Sequence, residues 1–323
     1  MNQAPQLKIG LIGCGYWGPN YARVFHFMPS VKVVSCSDLD NDKLARIKHQ
    51  FPAIALTNNY QDMLSDSQVD AVVISTQAPT HYQIVKKCLE AGRHVLVEKP
   101  LSMKAEEAQE LVELARKKGK VLMVGHTFLY NNAVRKMKEC IDKGRLGKIY
   151  YLQATRTHLG LVRKDVNAIW DLAPHDVSIF SYLLGKMPVE VSAVGGVYLK
   201  EGLEDMAFIN LIYPDGVIGN IHVSWVDSNK VRQVAAIGSQ ARVIFDDLNN
   251  LEKVRIYEKG IATDKPYDSF GEFQLLLRDG DIISPKVEPH EPLRKVADEF
   301  VNGILHNSPI LTDGVNGWEV VRV

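Results

Sequence analysis

The chain has 323 residues, 46% of them hydrophobic, enough for two domains with separate cores and too many for a disordered protein. Its 38 Lys and Arg balance 38 Asp and Glu, so no overall field draws it to nucleic acid or to an anionic membrane, and small-molecule chemistry is expected. Cys14, Cys36, Cys88 and Cys140 lack CxxC spacing, and no apolar run approaches the roughly 20 residues of a membrane span, so neither a zinc site, a disulfide framework nor a transmembrane protein is expected. Scattered thiols and a start without signal-peptide features predict a soluble cytoplasmic protein.

In chain order, residues 8–12 form a short apolar run that leads into Gly13-Cys14-Gly15-Tyr16-Trp17-Gly18 and then a helical stretch over 19–28. Gly13 permits a tight turn, Gly15 lets the backbone approach a pyrophosphate, and Gly18 lets the helix pack closely. The helix N-terminus offers free N–H groups and a positive dipole end to phosphates. A second apolar run, 31–35, ends near Asp38, about twenty residues beyond Gly18, where a carboxylate binds both ribose hydroxyls of an adenosine or simply caps the loop. No arginine follows Asp38 to hold a 2′-phosphate, so NAD is expected over NADP.

Further strands are predicted at 71–75, 94–97 and 121–124, alternating with helices at 41–49, 81–91 and 104–118. Repeated βαβ units predict an α/β fold with a doubly wound parallel sheet, a Rossmann domain over 1–127. After a helix over 131–143 the rhythm becomes one of strands, at 148–156, 189–198, 205–213, 217–226, 232–238 and 241–245, with helices at 174–184 and 292–306. A second α/β domain with an open, mostly antiparallel sheet is therefore expected over 128–323. Pro214-Asp215-Gly216 predicts a hairpin turn.

Two short segments carry possible chemistry. Glu98-Lys99-Pro100 follows His-Val-Leu-Val at the carboxyl end of a strand, where ligands bind in open α/β sheets. Lys99 there either stabilises negative charge on a reacting oxygen or forms a surface pair with Glu98. Asp171 and His175 lie four residues apart, on one face if the helix starts early. They form either an acid/base pair or a helix cap and a packed histidine. His126, His158 and His175 lack metal-ligand spacing, and no metal is expected.

Together the GxGxxG turn, Asp38, Glu98-Lys99-Pro100 with Thr76 and His81 in the preceding loop, and Asp171/His175 resemble the glucose–fructose oxidoreductase, inositol dehydrogenase and MocA (Gfo/Idh/MocA) family over nearly the whole chain. The resemblance implies NAD(P)-dependent oxidation of a sugar or polyol carbinol to a ketone. By motif match, Lys99 contacts the nicotinamide ribose and the reacting oxygen, His175 is the general acid/base, and Asp171 assists in substrate binding. It also implies cofactor contacts for Gly13, Gly15, Tyr16, Trp17, Gly18, Asp38, Thr76, Gln77, His81, Glu98 and Lys99, and a cis Lys99-Pro100 bond.

Residues 155–167 hold Arg156, Arg163 and Lys164, cations that suit a phosphate or carboxylate, or else a solvated loop. The stretch 125–131, Arg163 and residues 170–173 are similar to a branch acting on nucleotide-linked sugars. Lys99, Arg163, Asn167, Asp171 and His175 are accordingly expected to bind substrate, C3 of a UDP-linked N-acetylamino-sugar uronate. The alternatives are inositol or a free sugar, or a non-catalytic NAD-binding sensor. The family habit and a broad open sheet predict a homodimer or homotetramer. Relative to the family, the helix after Thr312-Asp313-Gly314 looks short, which predicts an exposed apolar face at Trp318 and Val321.

Overall fold

The computed structural model describes residues 6–66, 68–160, 162–199, 201–261 and 277–323. The chain divides into two units: residues 1–130 with 291–322, and residues 131–290 with Val323. The first unit thus takes in the last two helices, which the expected boundary at 127 had given to the second.

The first unit contains β1 (Leu7–Ile12), α1 (Trp17–His26), β2 (Val31–Ser37), α2 (Asn41–Gln50), β3 (Ala55–Thr57), α3 (Tyr60–Ser65), β4 (Ala71–Ile74), α4 (His81–Glu90), β5 (His94–Val97), α5 (Ala105–Lys118) and β6 (Leu122–Val124). Its six-stranded sheet has the order β3-β2-β1-β4-β5-β6, and every pairing is parallel. Helices cover both faces of such a sheet, so its strands read as continuous apolar runs, as in Ala71–Ile74, where every residue is buried. The strand order reverses between β1 and β4, which opens the crevice that binds ligands in this architecture.

Two late helices, α8 (Pro292–His306) and α9 (Gly314–Arg322), complete this unit. Helix α8 buries Leu293, Val296, Ala297, Phe300 and Val301 and packs on α1 and the turn at 127–130. Between the two helices Thr312 joins the edge of β6, its carbonyl accepting Val124 N–H at 2.8 Å and its hydroxyl donating to the Val124 carbonyl at 2.7 Å. Helix α9 packs on α5 and β6 and buries Val320 and Val321. The exposed apolar face expected at Val321 is therefore absent, because the helix packs on α5 and β6; Trp318 is half-buried beneath the Arg322 guanidinium, 5.4 Å from its ring centre.

The second unit contains α6 (Asn132–Asp142), β7 (Ile149–Thr157), α7 (Ala168–Leu184), β8 (Glu190–Gly196), β9 (Met206–Ile212), β10 (Ile218–Ser224), β11 (Val231–Gly238), β12 (Arg242–Asp246), β13 (Val254–Tyr257), β14 (Gly260–Ile261), β15 (Leu277–Arg278) and β16 (Ile282–Ile283). Its main sheet has the order β16-β13-β12-β11-β7-β10-β9-β8, and only β7 with β10 is parallel. The expected hairpin joins β9 to β10, with Gly216 at φ +78°. Helices α6 and α7 pack on one face. In β9, Ala207, Ile209 and Leu211 point to that face, whereas Phe208, Asn210 and Ile212 are exposed on the other.

Helix α7 begins six residues before the position expected from Pro174. Proline suits a first turn and therefore marked the start, but Asn167 supplies the cap, its side chain accepting Trp170 N–H at 3.0 Å. Pro174 lies inside the helix and, lacking an N–H, leaves the Trp170 carbonyl without its usual donor.

Candidate functional site

Cofactor-type residues of the first unit gather at the carboxyl ends of its parallel strands. Gly13 follows β1 at φ +94°, and a Cβ there would lie 2.7 Å from the Ser75 backbone, so the turn admits only glycine. A Cβ at Gly18 would lie 2.4 Å from the Gly13 carbonyl oxygen, so α1 can start this close to β1 only without a side chain. Nothing lies within 4 Å of a Cβ placed at Gly15, which leaves room for a ligand over the N-terminus of α1. Tyr16 is 82% exposed and stands edge-to-face with Trp17.

Asp38 directly follows β2 and has two local tasks. One carboxylate oxygen accepts Cys14 N–H at 2.7 Å, tying the glycine turn to β2, and the other accepts Asp40 N–H at 2.9 Å. A carboxylate carries about four lone-pair sites, so acceptor capacity remains for ribose hydroxyls. Lys43 Nζ, which the sequence did not bring forward, lies 3.8 Å from Asp38 and 3.6 Å from Asp40. An open turn, a helix N-terminus and an acid at the end of the next strand fit a dinucleotide.

At the other end of the crevice, buried His81 bridges two loops: Nδ1 lies 2.7 Å from the Pro100 carbonyl and Nε2 3.2 Å from the Thr76 carbonyl. The Thr76 hydroxyl pairs with that of Thr80 at 2.7 Å, and Gln77 is exposed. The Lys99-Pro100 bond is cis. Glu98 is buried rather than on the surface and accepts the Tyr21 hydroxyl at 2.7 Å; burial and Glu98 raise the Tyr21 pKa.

His126, just beyond β6, is 1% exposed, and neither ring nitrogen has a hydrogen-bond partner among the described residues. Burial, aided by the Lys99 charge, pushes its pKa down to about 3. A histidine depressed when folded stabilises the fold fully above the unfolded value near 6.5 and loses that contribution as pH falls toward 3. We expect wild-type protein to lose about 2 kcal/mol more than a His126→Phe variant between pH 6.5 and pH 4.5 in denaturant titrations. Equal losses would show that the ring is not held neutral.

In the second unit Arg163, Asn167, Asp171 and His175 come together around the start of α7. The early helix start puts Asp171 and His175 one turn apart on one face. Asp171 is held from two sides: Arg163 Nη1 lies 3.1 Å from Oδ1, and the Trp225 indole N–H donates to Oδ2 at 3.3 Å. Arg163 also grips Asp165, at 2.9 Å through Nε and 2.5 Å through Nη2. Asn167 caps α7 and donates to Glu204 at 2.7 Å, a structural use of a side chain expected at the substrate.

Arg156 departs from the expectation of a substrate-facing cation. It is 5% exposed and forms a two-pronged pair with Asp176, at 2.9 and 2.8 Å, that fastens α7 to β7. Trp225 and Asp165 went unnoticed in the sequence. Trp225 ends an apolar strand and reads as core; the alternation Arg163-Lys164-Asp165 was the available signal for the second.

These features define a class: a Rossmann nucleotide-binding unit joined to an α/β unit with an open sheet that carries an Asp/His helix. Residues 7–126 match the model of an oxidoreductase family with an NAD-binding Rossmann fold, and residues 134–244 match the GFO/IDH/MocA C-terminal domain. The chain belongs to the Gfo/Idh/MocA family of oxidoreductases, and its cofactor is NAD. It is 26% identical over 269 residues to the myo-inositol 2-dehydrogenase of Thermotoga maritima, covering 79% of each chain. It is 27% identical over 316 residues to the UDP-N-acetylglucosamine 3-dehydrogenase of Acidithiobacillus ferrooxidans, covering 98% of this chain and 94% of that one. A solved structure of the latter enzyme superposes with a TM-score of 0.81 at 25% identity, over 99% of this chain and 95% of that one. No helix among the described residues is long and apolar enough to cross a membrane.

Proposed function

We propose that this oxidoreductase oxidises a sugar carbinol to a ketone, and that its substrate is a UDP-linked N-acetylamino-sugar uronate oxidised at C3. The observation that carries the substrate class is the match to a UDP-N-acetylglucosamine 3-dehydrogenase over 98% of this chain. Arg163, partly exposed before α7, supports an acidic sugar. Inositol is the competing substrate, on the strength of the Thermotoga maritima relative.

In this reading Lys99, fixed at the end of β5, donates to the reacting oxygen and stabilises negative charge as the C–H bond weakens. His175 takes the hydroxyl proton, a task suited to imidazole near neutral pH. Asp171, held by Arg163 and Trp225, keeps a fixed carboxylate one helical turn from that ring. NAD, held there, would supply the hydride acceptor. The glycine turn and Asp38 hold the dinucleotide, with Tyr16, Trp17, Thr76, Gln77, His81 and Glu98 around it, and Asn167 orders the start of α7.

Self-association through the bare face of the second unit's sheet belongs to the same reading. Phe208, Ile212 and Ile218 are exposed there on neighbouring strands, with Tyr151 opposite Ile218, an apolar patch that suits a second copy. A cytoplasmic setting is supported by four buried free thiols.

The test is NADH absorbance with UDP-N-acetylglucosaminuronate, UDP-N-acetylglucosamine, free hexoses and inositols, each with NAD and NADP, on protein whose mass is first measured by sedimentation. Signal with the UDP-uronate and NAD, from a dimer or tetramer, is expected. Signal only with inositol or a free sugar overturns the substrate assignment.

A further inference from the structure

Arg163 already holds a carboxylate in the arrangement in which arginine binds an acidic ligand. Its Nε and Nη2 lie 2.9 and 2.5 Å from the two oxygens of Asp165, a fork-to-fork pair that uses the same donors a substrate carboxylate or phosphate would take. The third contact, Nη1 to Asp171 at 3.1 Å, comes from the opposite side and from a helix.

The two acids differ in the backbone that carries them. Asp171 sits inside α7, and its second oxygen accepts the Trp225 indole. Asp165 lies in a segment with no helix or strand, two residues from its partner, so rotation of its side chain releases the arginine without breaking any ladder. Arg163, Asp165 and Asp171 have side chains 29%, 16% and 18% exposed, which leaves the trio accessible from solvent.

We propose that Arg163 is a seat for an anionic group of the ligand and that Asp165 is its tethered competitor, occupying the seat until an acid displaces it. Asp165 is then a specificity-determining residue: weak acids fail to displace it, whereas an anion also held elsewhere succeeds. Asp171 keeps the guanidinium in place while the exchange occurs. This rests on the reading of the segment before α7 as the substrate side.

The experiment compares wild type with Asp165→Asn by calorimetry, using UDP-N-acetylglucosaminuronate, UDP-N-acetylglucosamine, UDP, uridine, D-glucuronate and D-glucose. Removing a tethered competitor is expected to tighten binding of acids about tenfold. Tightening confined to the uronates identifies a carboxylate seat. Tightening of UDP and both UDP-sugars, but not uridine, identifies a phosphate seat. Arg163→Lys in the Asp165→Asn background keeps the charge, loses the fork and is expected to abolish the gain.

An Asp165→Asn protein that melts as wild type yet tightens none of these anions by more than twofold overturns the proposal. Turnover of the UDP-uronate with no effect of Asp165→Asn rejects the competitor and keeps the proposed function. Tightening of anions by a protein that oxidises no UDP-sugar rejects that function and keeps the competitor.

Discussion

Lys99→Ala is expected to lower kcat by about 10³-fold, the usual loss when one donor to a developing oxyanion is removed. The NAD dissociation constant should move by less than about fivefold, because the glycine turn, the N-terminus of α1 and Asp38 carry the pyrophosphate and the adenosine ribose. The division follows from position. Lys99 stands at the end of β5, two strands from β1 and three from β2, which bear those groups. A turnover assay at saturating substrate, with NAD affinity from fluorescence titration, is the check. Unchanged turnover would remove Lys99 from the chemistry, and a joint collapse of turnover and NAD binding would make it a cofactor residue only.

Asp176→Ala is expected to destabilise the second unit by about 3–5 kcal/mol, since it removes the carboxylate that binds both Nε and Nη2 of the buried Arg156 guanidinium. For a unit of this size that corresponds to a melting point lower by roughly 10 °C. The pair is 5% and 1% exposed, so water cannot replace the lost carboxylate. Arg156→Met combined with Asp176→Leu should recover most of the loss, because two apolar side chains leave no orphaned charge. Asp176 is adjacent to His175, so the single variant should also reduce kcat/KM at temperatures where it remains folded. Thermal unfolding followed by circular dichroism decides the matter: a melting point within 2 °C of wild type would show that the pair does not fasten α7 to β7.

The contrast between Arg156 and Arg163 illustrates what a sequence conceals. Both arginines stand in one basic stretch and looked equally suited to an anion. Arg156 belongs to β7, and the strand's alternation turns it inward to Asp176; Arg163 lies beyond the strand, where its side chain stays accessible. The same limit applies to Trp225, whose N–H reaches Asp171 only because α7 packs on β10. Glu98 and Lys99 are neighbours in sequence, yet one is buried against Tyr21 and the other is half-exposed.

Local chemistry determined much by itself. Glycine at 13, 15 and 18, an acid after the second strand and continuous apolar runs specify a parallel nucleotide-binding sheet, because turn geometry and two-sided burial are properties of short segments. Alternation and the Pro214-Asp215-Gly216 turn likewise specify the antiparallel hairpin of the second unit. Tertiary structure decided the remainder: that helices 291–322 complete the first unit, that α7 starts at Ala168 despite Pro174, and which acids hold which arginines. A buried apolar face is equally satisfied by any complementary surface, and an ion pair depends on distances between segments far apart in the chain. Neither is encoded in spacing, and both are fixed only when the strands and helices pack.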